Sequence, residues 1–247
     1  EILRCLVGSE MCIRDRIYRP KQKIPMSIES QLSLVRRSLP PQVELVAVSK
    51  THPASAVEQA YRAGQRIFGE SRPQEMAAKY EALPRDIAWH MIGHLQTNKV
   101  RMIAPFVALI HSLDSARLAE TIHREAVRCG RTIDALLEIH VADEQTKSGW
   151  AWDELLAYVR SGAFGALTGV RVRGVMGIAT NTDDEEVIRR DFMALRRYKE
   201  MLAEFFGPEF DILSIGMSHD YPIAVECGAT MVRVGSLIFG ERDYSVR

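Results

Sequence analysis

Eight short apolar runs recur along the chain, and each of the first seven is followed by a segment with helical spacing. The runs are VELVAVSK (43–50), RIFGES (66–71), AWHMIG (88–93), ALIHSLD (108–114), IDALLEIHVA (133–142), VRVRGVMGIA (170–179), DILSIGMS (211–218) and TMVRVGSLIFG (230–240). Between them lie helical patterns such as PASAVEQAYRAG, SARLAETIHREAVRCG, WDELLAYVRSG and EEVIRRDFMALRRYKEMLAEFF. Several open on Pro, Ser or Asp and close on Gly, as helix termini favour. Strands covered on both faces read as near-continuous apolar runs, and helical crossovers make them parallel. Eight such units close a (β/α)8 TIM-type barrel, and 247 residues is an ordinary length for one. The alternative is an open doubly wound sheet, but no GxGxxG follows any strand. An extra helix is expected before the first strand. There MSIESQLSLVRRSLP sets Ile28, Leu32, Leu34 and Val35 at helical spacing and stops at Pro40–Pro41.

Bulk properties narrow the function classes. The 32 basic and 32 acidic residues cancel, so there is no electrostatic footprint for nucleic acid or an anionic membrane. No apolar run approaches the roughly 20 residues that span a bilayer. Cys5, Cys12, Cys129 and Cys227 are scattered without a CxxC pair, which suits reduced thiols in a cytoplasmic protein. Residues 1–25 read differently: they hold six basic and three acidic residues and two of the four cysteines, without periodicity. MCIRDR also back-translates to a transposase end sequence used in DNA library preparation. The expectation is therefore an artefactual or disordered extension over 1–25, a natural start at Met26, and one domain over 26–247.

Barrel enzymes place working groups at the C-terminal ends of strands. Those ends carry Lys50, Glu70–Ser71, Gly93–His94, Asp114, Asp143, Thr180, Gly216–Ser218 and Gly235–Ser236. Lys50 is the one lysine that ends a strand core. If Val46, Val48 and Lys50 share a pleat face, the amine points up the barrel axis, where partial desolvation favours a reactive neutral amine. A lysine that merely snorkels out of the mouth is the competing reading. SIGMSHD and VRVGSLIFG add two Gly- and Ser-containing turns after the last two strands, the usual barrel position for a phosphate. Glycines that only relieve crowding are the bland alternative there. An aldehyde-reactive lysine facing a phosphate cup suggests pyridoxal 5′-phosphate (PLP) or a Schiff-base phosphosugar aldolase. An aldolase is disfavoured because its lysine usually sits on a later strand.

VAVSKTHP, FGESRPQE, WHMIGHLQTNK, DEQTKSG, VRGVMGIAT, LSIGMSHD and ATMVRVGSLIFGERDY together resemble the YggS/PROSC family of PLP homeostasis proteins, in order from about Met26 to Tyr244. The resemblance implies an alanine racemase-like barrel with PLP held as an internal aldimine on the first-strand lysine, Lys50. It assigns the phosphate to Ser218, Gly235 and Ser236, with Gly216 and Met217 in the adjoining turn. It places Arg233 near the pyridine nitrogen. Ser71 and His90 complete the cofactor-site candidates, with no metal ligands expected. Ser71 stands where the family commonly has Asn, and so does His140.

An arginine beside the pyridine nitrogen keeps that nitrogen unprotonated and weakens the cofactor as an electron sink, although racemases with such an arginine still work. Two-sided proton transfer also needs an acid–base group facing the lysine. In alanine racemase, the resemblance implies, an additional β domain supplies it, and here the sequence closes three residues after Tyr244. For Tyr244, Glu70, His90 and His94 as substitutes, hydrogen-bonded structural roles are favoured, at least for the histidines. Lys147 is either an anion-attracting or a solvated loop lysine. The expected function is a cytoplasmic PLP carrier in vitamin B6 homeostasis, without turnover, that passes PLP to apoenzymes. The expected state is a monomer or weak dimer. The alternative is a PLP-dependent amino-acid racemase or related enzyme.

Overall fold

The computed structural model describes residues 26–142 and 148–241. The extension over 1–25, Asp143, Lys147 and Tyr244 lie outside them. The chain opens with α1 (Ile28–Ser38), capped by the Ser27 side chain accepting the Ser30 N–H at 3.2 Å. Four βα units follow: β1 (Glu44–Val48) and α2 (Ala54–Arg62), β2 (Ile67–Glu70) and α3 (Pro73–Ala82), β3 (Ala88–Met91) and short α4 (Val100–Ile103), β4 (Leu109–Leu113) and α5 (Ala116–Arg128). Four more complete the ring: β5 (Ile133–Glu138) and α6 (Trp152–Arg160), β6 (Val170–Met176) and α7 (Glu185–Phe206), β7 (Ile212–Ser214) and α8 (Tyr221–Glu226), β8 (Met231–Val234) and α9 (Ser236–Phe239).

All eight strands are parallel and close into a barrel in chain order, β8 pairing back on β1 through Leu45–Val232, Val46–Arg233 and Ala47–Val234. Closure leaves no sheet edge. Alternation along each strand splits the apolar residues into two cores. Leu45, Ala47, Phe68, Trp89, Leu137, Leu213 and Val232 face the helices in the larger core. Val46, Leu109, Leu136, Met176 and Met231 fill the barrel interior in a separate cluster. The expected extra helix is present, and Leu32 and Val35 bury its inner face against the barrel core. Leu34 departs from the expectation: it is exposed, because helical spacing turns it away from Leu32. SLIFG, read from the sequence as the tail of the eighth strand, is instead the helix α9. Its backbone leaves the sheet at Gly235, just past the last β1 pairing, Ala47 with Val234.

Candidate cofactor site

Two residues beyond the interior apolar layer, the same faces turn polar. Leu109 is followed by His111, Leu136 by Glu138, Met231 by Arg233 and Ile212 by Ser214, so the next layer toward the C-terminal mouth carries a hydrogen-bonded chain. The Arg233 guanidinium donates to the Ser214 carbonyl and hydroxyl oxygens, both at 2.7 Å, and to the Gly177 carbonyl at 3.1 Å. The Ser214 hydroxyl meets His111 Nδ1 at 3.1 Å, and His111 Nε2 meets His90 Nδ1 at 3.0 Å. Burial pulls Arg233 down to about 10, so it stays protonated at neutral pH. Burial likewise pulls His90 down to about 3 and His111 well below its ordinary value, so both rings are neutral. Glu138 accepts a hydrogen bond from Ser148 at 2.8 Å; its other oxygen is buried without a partner among the described residues, and burial raises its pKa.

Above this layer the turns after β7 and β8 are tied together. Arg233 N–H donates to the Gly216 carbonyl at 3.0 Å, and Gly235 N–H donates to Ser218 Oγ at 3.2 Å. Asp220 accepts the Met217 N–H and fixes the intervening loop. Gly216 requires glycine twice over: its φ is +89°, and a Cβ there would sit 2.6 Å from the Ala224 methyl. Gly235 lies against β1, where a Cβ would come within 3.0 Å of the Val48 carbonyl oxygen. The N–H groups of Ser236 and Leu237 open α9 and have no acceptor within their own helix. The result is a cup of backbone N–H groups and two hydroxyls, suited to a phosphate dianion.

Lys50 follows β1, the strand that pairs with β8. Val46 and Val48 occupy the inner pleat face, as the spacing implies, but β1 ends at Val48 and Lys50 sits, half-buried, in the turn that follows. Its neighbour Thr51 has φ +69°, and the His52 ring lies 5.2 Å from the Phe239 ring of α9. The turn is therefore seated beside the Gly235–Ser236 corner. Ser71 is half-buried just after β2, in the space that a Cβ on Gly93 would need. His90 lies deeper, in the polar layer below the mouth. His140 is half-buried, two residues past Glu138, with its backbone N–H bonded to the Trp150 carbonyl at 3.0 Å. His94 is exposed at the rim, paired with Asp114 at 3.0 Å, beside a cavity of about 330 Å³ lined also by Gln96, Asn98 and Arg117. Another cavity of about 340 Å³, by Arg36, Pro40 and Glu44, is at the opposite end of the strands and carries none of this chemistry. Among the described residues no cluster of His, Cys, Asp or Glu could hold a metal ion.

Sequence reasoning did not find His111, Ser214 or Glu138, whose signal was a polar residue two places beyond an inward apolar one. It also missed Lys79, a helical lysine buried against Glu70 at 2.7 Å.

The alanine racemase N-terminal domain family matches residues 26–243. The pyridoxal phosphate homeostasis protein of Aquifex aeolicus is 40% identical over 205 residues, covering 81% of this chain and 88% of that one. Its namesake in Escherichia coli K12 is 38% identical over 218 residues, 83% of this chain and 88% of its own. This chain belongs to the pyridoxal phosphate homeostasis protein family. Among family structures, PipY of Synechococcus elongatus without PLP superposes with a TM-score of 0.82 at 39% identity, over 87% of this chain and all of PipY. PipY with PLP bound superposes at 0.79. Alanine racemase of Streptomyces coelicolor, 18% identical with a TM-score of 0.69, shares the fold over 86% of this chain and 57% of its own. No helix among the described residues is long and apolar enough to cross a membrane.

Proposed function

We propose that this chain holds PLP at the C-terminal barrel mouth and serves cytoplasmic PLP homeostasis without catalytic turnover. The observation that carries the reading is the pairing of β8 with β1 up to Ala47–Val234, with Gly235 so close to Val48 that a Cβ would crowd it: the turn after β8 lies against the strand whose exit turn bears Lys50. The residues fit the group. Ser218, tied to the Gly235 N–H, and the Ser236–Leu237 backbone offer donors to a phosphate, and Arg233, fixed by three bonds to Ser214 and Gly177, presents a permanent cation near the cup. When bound, the cofactor would supply an aldehyde, and Lys50, just past the end of the first strand, would be the amine that holds it reversibly. Reversible holding suits a carrier whose recipients are apoenzymes that need PLP. Ser71, Gly216 and Met217 shape the walls, and His90 supports the floor through His111. The protein acts as a monomer or weak dimer.

The neutral histidines and protonated Arg233 argue for binding over turnover. A cation facing the pyridine nitrogen opposes its protonation and so weakens electron withdrawal. Purified protein should take up PLP and show the visible absorption of a lysine C=N link. Incubated with single enantiomers of several amino acids, it should leave them unchanged. Measurable inversion or product formation overturns the carrier reading, and failure to load PLP overturns the cofactor assignment.

A further inference from the structure

Outside the barrel wall, behind Lys50, two buried charged side chains, Lys79 and Glu70, join a half-buried third, Glu75. Lys79 Nζ of α3 donates to Glu70 Oε1 at 2.7 Å, to Glu75 Oε1 at 2.8 Å and to the Ser49 carbonyl at 2.8 Å. Its side chain is 6% exposed and that of Glu70 is fully buried. An ammonium and a carboxylate removed from water cost several kcal/mol before their attraction offsets it, so such a group is weak evidence for stability alone. Its bonds point to another use. Ser49 Oγ donates to Glu70 Oε1 at 2.6 Å, and Thr51 N–H donates to Glu75 Oε1 at 2.7 Å. The triad therefore grips the residue before Lys50 by its hydroxyl and carbonyl, and the residue after it by its amide.

The grip coincides with strain. Thr51 is the one non-glycine residue with positive φ among the described residues, and it is β-branched, the type least suited to that region. A strained conformation persists only where surrounding bonds over-determine it. Here those include the charge-assisted bond to Glu75 and the Ser49 carbonyl, which accepts from both Lys79 and the His52 N–H at 3.1 Å.

We propose that Glu75 and Lys79 of α3, anchored on Glu70, are positioning residues that hold the turn around Lys50 in the conformation presenting its amine to the phosphate cup. The inference rests on the reading of Lys50 as the cofactor's anchor, but the clamp's bonds are all made within the protein. Glu75 is the component to vary, since its side chain is 22% exposed and its loss leaves the Lys79–Glu70 pair intact.

The test compares the full-length wild type with Glu75→Ala, Glu75→Gln and Thr51→Pro. It reads hydrogen exchange at the Thr51 amide without PLP, the PLP concentration giving half of the visible band, and Tm. Glu75→Ala should speed Thr51 exchange and raise the half-loading concentration by about tenfold, the scale of one charge-assisted hydrogen bond. Glu75→Gln keeps a carbonyl acceptor and should restore most of both, an outcome that general loosening would not give. Thr51→Pro removes the donor and forbids the positive φ at an exposed position, so loading should collapse while the barrel stays folded. Thr51 exchange unchanged in Glu75→Ala overturns the clamp, whether or not PLP loads. Wild-type loading equalled by both Glu75→Ala and Thr51→Pro overturns the positioning role. A wild type that never loads PLP while Thr51 exchange responds as expected refutes the Lys50 reading alone and leaves the clamp standing.

Discussion

Ser218 Oγ accepts the Gly235 N–H at 3.2 Å, so the protein's own bonds join the two turns proposed to hold the phosphate. Preformed donors lose little freedom on binding. Ser218→Ala removes one part-buried bond and should lower stability by only about 1 kcal/mol. Its effect on PLP loading should be larger, about tenfold in half-saturation, because the lost hydroxyl also faces the cup. Parallel thermal melts and PLP titrations separate the two effects.

Arg233 should matter to the fold as well as to the site. Arg233→Met removes three buried donations, to the Ser214 carbonyl and hydroxyl and to the Gly177 carbonyl, and should destabilise the barrel by about 3 kcal/mol. Urea unfolding monitored by far-UV circular dichroism measures this directly. The change should appear in the midpoint, with little change in slope.

His90 makes stability sensitive to acid in a defined direction. Its pKa falls from 6.5 in the unfolded chain to about 3 in the barrel, because burial disfavours the imidazolium. The contribution is complete above pH 6.5 and is lost as pH falls toward about 3. His90→Gln should flatten the decline in unfolding free energy across that window. His111, linked to it at 3.0 Å, acts in the same direction.

Glu70 opposes that trend. Burial, only partly offset by Lys79 and Ser49, raises its carboxyl from 4.5 to about 7. A raised carboxyl contributes fully below pH 4.5 and loses its contribution as pH rises toward about 7. Relative to wild type, Glu70→Gln should therefore grow more stable across that interval. A series of urea melts from acid to neutral pH shows the crossover, or its absence.

The barrel was legible because strands covered on both faces leave continuous apolar runs, as in VELVAV and ALLEI, whose length and spacing survive without tertiary information. The first strand and the turns after the last two strands could be located for the same reason. What stayed hidden depends on contacts between strands. His111 and Ser214 are 103 residues apart, and nothing local marks them as partners. SLIFG reads as strand by composition, but the β1 pairing stops at Val234 and the run folds as a helical turn. Lys79 escaped notice because helical lysines are usually solvated. Its Glu75 partner four residues earlier was the available signal, but only the buried Glu70 shows what the pair is for.

The central claim is that Lys50 bears the cofactor. Wild-type protein loaded with PLP, reduced with borohydride and digested should yield one peptide carrying the phosphopyridoxyl mass, with fragmentation placing it on Lys50. The Lys50→Ala protein treated identically should yield none. Labelling that falls on another lysine, or that persists undiminished in Lys50→Ala, contradicts the account.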